Sequence, residues 1–238
     1  MIVIGYTRPS EVNQQNPHEH DRLLRYLDRE ERVRWESLSN ELLRHRYLIS
    51  HSLIRTTLTH YAQQHLNLVI DPQSIQLAKQ PKGKPIIAAP AALQSVSFSL
   101  THTHDLAAVA VSASGPVGLD AEWLHRQGPS IAVAKRFFTL QEYEDIRSAP
   151  QAQQHQRLLT YWTLKEAYVK AVGTGISSSF KKFRLILNGS EAPRLEYTEN
   201  TLSSDESWHF HSFTLANEYL VALACHTCEV PHIINLRP

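Results

Sequence analysis

The chain reads Val-Gly-Leu-Asp-Ala-Glu over residues 117–122 and Trp-Thr-Leu-Lys-Glu-Ala-Tyr-Val-Lys over residues 162–170. The first stretch is an apolar segment, typical of a strand, that ends in two carboxylates. The second stretch has helical spacing and carries one carboxylate and two ammonium groups. A strand and a helix that each concentrate charge in this way indicate a site built from both.

The strand places two carboxylates on one side. Residues i and i+2 of an extended segment share a face, so Asp120 and Glu122 project together while Ala121 points away. Two close carboxylates repel each other unless a cation lies between them. A few hard oxygen ligands suit Mg²⁺, which completes its shell with water and substrate phosphates. For these two acids taken alone, a pair of exposed carboxylates at the end of a hairpin is the more common structure.

The helix places Glu166 and Lys170 one turn apart, on the same stripe as Trp162, with Lys165 next to that stripe. An anionic substrate bound to a metal would need such ammonium groups beside the metal ligands. The alternative is an ordinary Glu–Lys pair on a solvated helix, which contributes only about 0.3–0.5 kcal/mol. Taken alone, the helix favours this alternative.

Composition excludes several classes of protein. The chain has 238 residues, 42% of them hydrophobic and 20% charged, as expected for a globular protein. A formal net charge of +1 argues against the basic surface that non-specific nucleic-acid binding requires. No apolar run approaches the roughly 18 residues of a membrane span, and no signal-peptide core is present. We therefore expect a cytoplasmic protein with no membrane or nucleic-acid partner.

The order of predicted elements indicates two α+β halves, 1–115 and 116–238, of which the second carries the metal site. The apolar runs 106–111 and 219–224 have the same character and lie about one half-chain apart, which suggests a pseudo-duplication. Periodicity predicts helices over 17–36, 39–65, 129–136, 139–148 and 152–172, and strands over 95–100, 106–111, 183–187, 208–215 and 219–224.

The two stretches in combination resemble the signature of the 4′-phosphopantetheinyl transferases of the surfactin-synthetase-activating type. That signature pairs a strand G-[IV]-D-x-E with a downstream [FW]-[ST]-x-K-E-[AS]-x-x-K. Other parts of the chain resemble the family's further motifs in the family's order: Gly83-Lys84-Pro85, Phe98-Ser99-Leu100-Thr101-His102-Thr103, and Arg136-Phe137-Phe138 with Glu142. The resemblance covers about residues 29–183.

This resemblance implies a fold and an activity. The fold would be a pseudo-dimer of two similar α+β halves with the active site at their interface, which makes a monomer the expected state. The substrate would be coenzyme A, and the partner an apo acyl or peptidyl carrier protein. A serine of that carrier would receive the 4′-phosphopantetheine group, with release of adenosine 3′,5′-bisphosphate.

The resemblance also implies roles for the charged residues. Asp120, Glu122 and Glu166 would hold Mg²⁺, and Mn²⁺ suits the same oxygen ligands. Lys170 would neutralise a diphosphate oxygen, with Lys165 as a second donor nearby. Glu166 would also accept the serine proton, directly or through a metal-bound water. Glu142 is the second candidate for that base.

The phosphates must be held by side chains, because the chain has no G-x-x-x-x-G-K-[ST] loop. On the resemblance, Arg34, Arg46 and His102 would contact the adenosine 3′-phosphate and Lys84 the adenine end. An ordinary solvated helix face is an equally good interpretation of Arg34.

Two other functions remain open from the sequence. The same acids and lysines would serve a different Mg²⁺-dependent enzyme that acts on a nucleotide diphosphate. The chain could also be a non-catalytic module that binds carrier proteins. The retained cluster of like charges argues against such a module, since binding alone does not require it.

Overall fold

The structure is a computed structural model, and it describes residues 1–13, 16–126, 131–174, 180–189, 191–198 and 207–238. It forms two compact units, one made of Met1–Gly115 with Glu229–Pro238 and the other of Pro116–Cys228. Each unit combines helices with antiparallel strands, so the predicted α+β class is confirmed. Within the described ranges, no helix is both long and apolar enough to cross a membrane.

The first unit is built on a sheet with strand order β11-β1-β5-β4. Strands β1 and β11 are parallel, and the other neighbours are antiparallel. Its helices are α1 (Pro17–Tyr26), α2 (Arg29–Ser37) and α3 (Glu41–His65), and its strands are β1 (Ile2–Thr7), β2 (Gln76–Lys79), β3 (Pro85–Ala89), β4 (Ser97–Thr103), β5 (Leu106–Ser112) and β11 (His232–Asn235). Helix α3 packs on this sheet, and apolar side chains of both fill the core between them.

The predicted helix over 17–36 is wrong in one respect, because it is two helices. Leu27 leaves the helical conformation at the end of α1, and Asp28 begins α2 as its N-cap. The Asp28 carboxylate accepts a hydrogen bond from Glu31 N, while the Glu31 side chain accepts one from Asp28 N. This reciprocal capping box satisfies two backbone donors that a helix start leaves open, so a break here costs little.

The second unit is built on a sheet with strand order β6-β10-β9, covered by the longest helix of this unit's described residues, α6. Its helices are α4 (Ile131–Phe137), α5 (Leu140–Ser148) and α6 (Gln151–Val172), and its strands are β6 (Val117–Trp123), β7 (Phe183–Ile186), β8 (Arg194–Tyr197), β9 (His209–Leu215) and β10 (Tyr219–Cys225). Gly173 ends α6 in the left-handed conformation that favours glycine. Residues 129–130 of the predicted helix over 129–136 lie outside the described residues.

The C-terminal segment departs from the predicted division into 1–115 and 116–238. Residues Glu229–Pro238 belong to the first unit, because β11 runs parallel to β1 with Val3 opposite His232 and Tyr6 opposite Asn235. This pairing joins two parts of the chain that are far apart in sequence. The predicted similarity of the two halves stays a prediction.

Strand β6 and helix α6 approach each other closely at Gly118. A Cβ atom added there would clash with Ala167 O and Ala171 N, and would lie 2.9 Å from Ala171 Cα. All of these atoms belong to the helix backbone, which cannot move aside as the end of a flexible side chain could. Only glycine therefore allows the strand and helix to pack at this distance.

We expect Gly118→Ala to lower the free energy of unfolding by about 3 kcal/mol or more, because the strand and helix would have to separate. Gly83→Ala is the control. Gly83 has φ +88° but an added Cβ would meet nothing within 4 Å, so its cost is backbone strain of about 1–2 kcal/mol. Urea denaturation measures both. Equal losses in the two variants would contradict the close approach at Gly118.

Candidate functional site

In the second unit, β6 and α6 bring four of the predicted site residues together. Gly118, Asp120 and Glu122 alternate along β6 and share the face that Gly118 turns toward α6. Lys170 Nζ donates hydrogen bonds from α6 to Asp120 Oδ1 at 2.7 Å and to Leu119 O at 3.1 Å. The strand therefore supplies two carboxylates, and the helix an ammonium group that faces one of them.

The three carboxylates of this cluster are largely removed from solvent. Exposed fractions are 7% for Asp120, 7% for Glu122 and 5% for Glu166. Burial and the charge of Asp120 raise the pKa of Glu122, although its ion pair with Arg126 acts in the opposite direction. Burial, followed by the charge of Asp120, raises the pKa of Glu166 to about 7. The acids thus lie close enough to disfavour one another's ionised forms.

The chemistry of this cluster fits a hard divalent cation. Its donors are carboxylate oxygens, the ligands that Mg²⁺ prefers. Burial and the charge of Asp120 disfavour the ionised forms of Glu122 and Glu166, and a cation between the carboxylates would favour those forms. Asp120 is instead paired with Lys170, and Glu122 with Arg126. Among the described residues, no three His, Cys, Asp or Glu side chains are already gathered as a metal site. Binding a metal would thus require these ion pairs to loosen.

Lys165 does not lie with the other charged residues, so its predicted contact with the diphosphate is contradicted. Its side chain is fully buried, and Nζ donates to Phe180 O at 2.5 Å and Phe183 O at 2.8 Å. Nζ also pairs with a Glu142 carboxylate oxygen at 2.9 Å. These contacts occupy all three donors of the ammonium group. Burial lowers the pKa of Lys165 to about 8 despite the facing carboxylate.

The structure also argues against Glu142 as the base, because its carboxylate is buried and engaged in hydrogen bonds. It is 1% exposed and accepts hydrogen bonds from Thr139 N and Thr139 Oγ1, at 3.0 Å each, and from Leu185 N at 2.8 Å. With Lys165 as a further partner, the carboxylate is fully used within the fold. Glu142 caps α5 and ties it to β7, and it has no free oxygen for a substrate proton.

In the first unit, Arg34, Arg46 and His102 line one cavity of about 510 Å³. Arg34 comes from α2, Arg46 from α3 and His102 from β4, so three elements contribute to it. Arg46 Nε is buried without a hydrogen-bond partner among the described residues. A buried donor of this kind costs free energy unless a ligand accepts from it. The cavity therefore suits an anion.

Lys84 is placed apart from this cavity. It lies in the turn between β2 and β3 and is not among the residues that line the cavity. Burial lowers its pKa. The structure thus joins three of the four residues predicted to bind the adenosine part of coenzyme A, and leaves the fourth in its own turn.

The sequence did not reveal a buried ionic cluster beside the cavity. Arg55 is 0% exposed and pairs with Glu31 at 2.7 Å, while His51 Nδ1 lies 2.7 Å from Glu31 Oε1. Burial alone would raise the pKa of Glu31, but the hydrogen bonds from His51 and Arg55 lower it to about 2. The spacing of His51 and Arg55 puts them on one helix face, a signal available in the sequence. Their acidic partner is on another helix, and no local pattern predicts it.

Comparison with known proteins gives a family. A model of the 4′-phosphopantetheinyl transferase superfamily matches residues 116–224. The 4′-phosphopantetheinyl transferase HetI of Nostoc sp. is 33% identical over 153 residues, which make up 64% of this chain and 62% of that protein. A 4′-phosphopantetheinyl transferase of Bacillus subtilis is 32% identical over 169 residues, 71% of this chain and 70% of that protein.

A solved structure is also similar in part. It is a holo-(acyl-carrier-protein) synthase from Bacillus anthracis in complex with CoA (3′,5′-ADP), with a TM-score of 0.37 and 23% identity over 46% of this chain and 92% of that one. From the identity and coverage of the sequence relatives, the chain belongs to the 4′-phosphopantetheinyl transferase superfamily. The family that the motifs predicted is confirmed, and the chain spans less than two thirds of the length of HetI.

Removing the buried ammonium group should destabilise the second unit. We expect Lys165→Met to lower the free energy of unfolding by about 3–5 kcal/mol, because Glu142 would remain buried without its cation. Arg184→Met is the control, since Arg184 and Glu196 form a half-exposed pair that contributes at most about 1 kcal/mol. Urea denaturation compares the two. Adding Glu142→Gln to Lys165→Met should recover part of the loss, and no recovery would contradict the pairing.

The raised pKa of Glu166 predicts a pH dependence of stability in protein kept in EDTA. Its pKa is about 7 in the folded state and 4.5 for an ordinary carboxyl group, so the folded state binds this proton more tightly. The resulting stabilisation is complete below pH 4.5 and is lost as the pH rises through 7. We expect wild type to lose on the order of 2 kcal/mol relative to Glu166→Gln between pH 4.5 and 7.5. Parallel stability curves for the two proteins would contradict this.

Proposed function

We propose that this protein transfers the 4′-phosphopantetheine group of coenzyme A to a serine hydroxyl of an apo acyl or peptidyl carrier protein. One observation carries the proposal: β6 and α6 gather Asp120, Glu122, Glu166 and Lys170 in a chain that belongs to the 4′-phosphopantetheinyl transferase superfamily. Carboxylates beside an ammonium group are the side chains that a metal-bound diphosphate requires. Cytoplasmic location and a monomeric state stay predictions.

Asp120, Glu122 and Glu166 would hold Mg²⁺, or Mn²⁺ in its place. The bound ion would supply Lewis-acid polarisation of a phosphoryl oxygen. The raised pKa values of Glu122 and Glu166 support this assignment, since burial and then the charge of Asp120 disfavour their ionised forms, and a cation would favour those forms. Lys170, released from Asp120, would neutralise an oxygen of the diphosphate.

The transfer is a displacement at phosphorus. The serine oxygen attacks the β-phosphorus of coenzyme A, and the bond from that phosphorus to the bridging oxygen breaks. Adenosine 3′,5′-bisphosphate leaves with the electron pair, and the serine proton passes to the Glu166 carboxylate. The proximity of Glu166 to Asp120 and Glu122, the other two residues that would hold the metal, supports this role, since the serine oxygen would react beside that metal.

The first-unit cavity would receive the adenosine 3′-phosphate. Arg34 and Arg46 present guanidinium groups, whose planar fork can bind phosphate oxygens bidentately, and His102 adds a ring donor. The unpartnered, buried Arg46 Nε supports an anion at this place. Lys84 is proposed for the adenine end, which rests on the family resemblance alone.

Mass spectrometry of the carrier protein tests the transferase proposal. Incubating the protein with coenzyme A, Mg²⁺ and an apo carrier protein should increase the carrier mass by one phosphopantetheine group and release adenosine 3′,5′-bisphosphate. EDTA should stop the reaction, and added Mg²⁺ or Mn²⁺ should restore it. An unchanged carrier mass with acyl and peptidyl carriers alike would overturn the proposal.

Single substitutions test whether transfer requires the cluster residues and not other charged residues of the surface. Asp120→Ala and Glu166→Ala should abolish transfer, and Lys170→Ala should slow it by about 10²–10³-fold through loss of one electrostatic donor. Glu144→Ala, which removes an exposed carboxylate from α5, is the control and should keep full activity. Rates of product release measure all four. A fully active variant would remove its residue from the site.

A further inference from the structure

His51 lies at the edge of the first-unit cavity with one ring nitrogen already engaged. It lines the cavity that Arg46 and His102 also line, and its ring stacks on Tyr47 with centroids 3.9 Å apart and an angle of 20° between the planes. Its Nδ1 lies 2.7 Å from Glu31 Oε1. The stack and this hydrogen bond hold the ring in place, which leaves Nε2 as the nitrogen available to a ligand.

The charges beneath His51 balance only when its imidazole is a cation. Glu31 and Asp28 contribute two negative charges, and Arg55, which pairs with Glu31 at 2.7 Å and lies 3.7 Å from Asp28, contributes one positive charge. The cluster therefore carries −1 with a neutral imidazole and 0 with an imidazolium. Arg55 also donates to His51 O at 3.3 Å, so the cation and the histidine share one buried network.

The remaining charged or titratable groups around His51 are basic, apart from Tyr47. Burial raises the pKa of the Tyr47 phenol to about 12, so it keeps its proton at physiological pH. The other ionisable side chains that line the cavity are Arg34, Arg46, His102 and His104. No described carboxylate lines it directly, since Glu31 and Asp28 lie behind His51. An anion in the cavity would therefore meet basic side chains from α2, α3 and β4.

We infer that His51 is a further substrate-binding residue, whose imidazolium donates from Nε2 to the 3′-phosphate of coenzyme A while Glu31 holds Nδ1. This inference rests on the proposed function, which assigns that phosphate to the cavity. It predicts that discrimination between coenzyme A and dephospho-coenzyme A depends partly on the protonation of one histidine. Arg34 and Arg46 line the same cavity and give a background of phosphate contacts that a substitution of His51 leaves in place.

The test is calorimetric binding of coenzyme A and of dephospho-coenzyme A, which lacks only the 3′-phosphate, to wild type and His51→Gln in EDTA. At pH 6 the substitution should weaken coenzyme A binding by about tenfold, the loss of one charge-assisted hydrogen bond, and at pH 8.5 by only about twofold. Dephospho-coenzyme A should bind both proteins equally at both pH values. Comparing the two proteins at one pH cancels the titration of the phosphate, His102 and His104.

Two further variants complete the design. His60→Gln makes the same substitution on α3 outside the cavity and should leave both affinities unchanged. His51→Lys keeps a cation at both pH values. The affinity of wild type for coenzyme A, divided by that of His51→Gln, should fall between pH 6 and 8.5. The same ratio for His51→Lys should stay constant. Thermal denaturation checks that each variant folds. If His51→Gln unfolds, wild type is compared with His51→Lys: coenzyme A binding by wild type should weaken relative to His51→Lys between pH 6 and 8.5, and an unchanged ratio would overturn the role of His51.

The outcomes separate the inference from the function on which it rests. Equal coenzyme A affinities for His51→Gln and wild type at pH 6, or the same loss for dephospho-coenzyme A, would overturn the role of His51 and leave the transferase intact. Wild type that binds neither ligand, and modifies no carrier, would overturn both. A pH-dependent loss confined to coenzyme A would establish His51 as a 3′-phosphate donor.

Discussion

The contact between Gly118 and the backbone of α6 is the constraint on which the charged cluster depends. Strand and helix can approach this closely only because residue 118 has no Cβ, and Ala167 and Ala171 present small side chains at the same place. The approach turns the alternating face of β6 toward α6. Asp120 follows Gly118 by two residues, so it meets Lys170 across the interface. A wider spacing would leave the acids and the lysine as separate surface charges.

Close packing also removes three neighbouring carboxylates from solvent. Three carboxylates with exposed fractions of 5–7% are costly in their ionised forms, and one lysine and one arginine only partly compensate them. Burial, followed by the charge of Asp120, raises the pKa of Glu166 to about 7. The cluster therefore has more acidic groups than basic partners, which suits the binding of a cation.

Two buried ion pairs join the helices that carry the candidate site residues to neighbouring elements. Lys165 with Glu142 fastens α6 to α5 and to the segment that leads into β7. Arg55 with Glu31 fastens α3 to α2 beside the cavity. In the first pair, two charges that the family resemblance assigned to the active site are engaged inside the fold instead. Such pairs contribute little net stability compared with apolar residues, but their directional hydrogen bonds define how helices are placed.

The sequence by itself determined the α+β class, the approximate bounds of the helices apart from the break between α1 and α2, and the family, because these follow from local periodicity and from motifs a few residues long. It also named Asp120 and Glu166 as candidate site residues. Tertiary structure alone decided which neighbours in a motif face the site. Lys165 and Glu166 are adjacent and both buried, yet the rotation of about 100° per residue along a helix directs Lys165 toward Phe180 and Glu166 toward the acids of β6. Tertiary structure also decided the pairing of β11 with β1 and the contact of His51 with Glu31. Those contacts join residues from different elements, and their energies depend on packing that no single segment encodes.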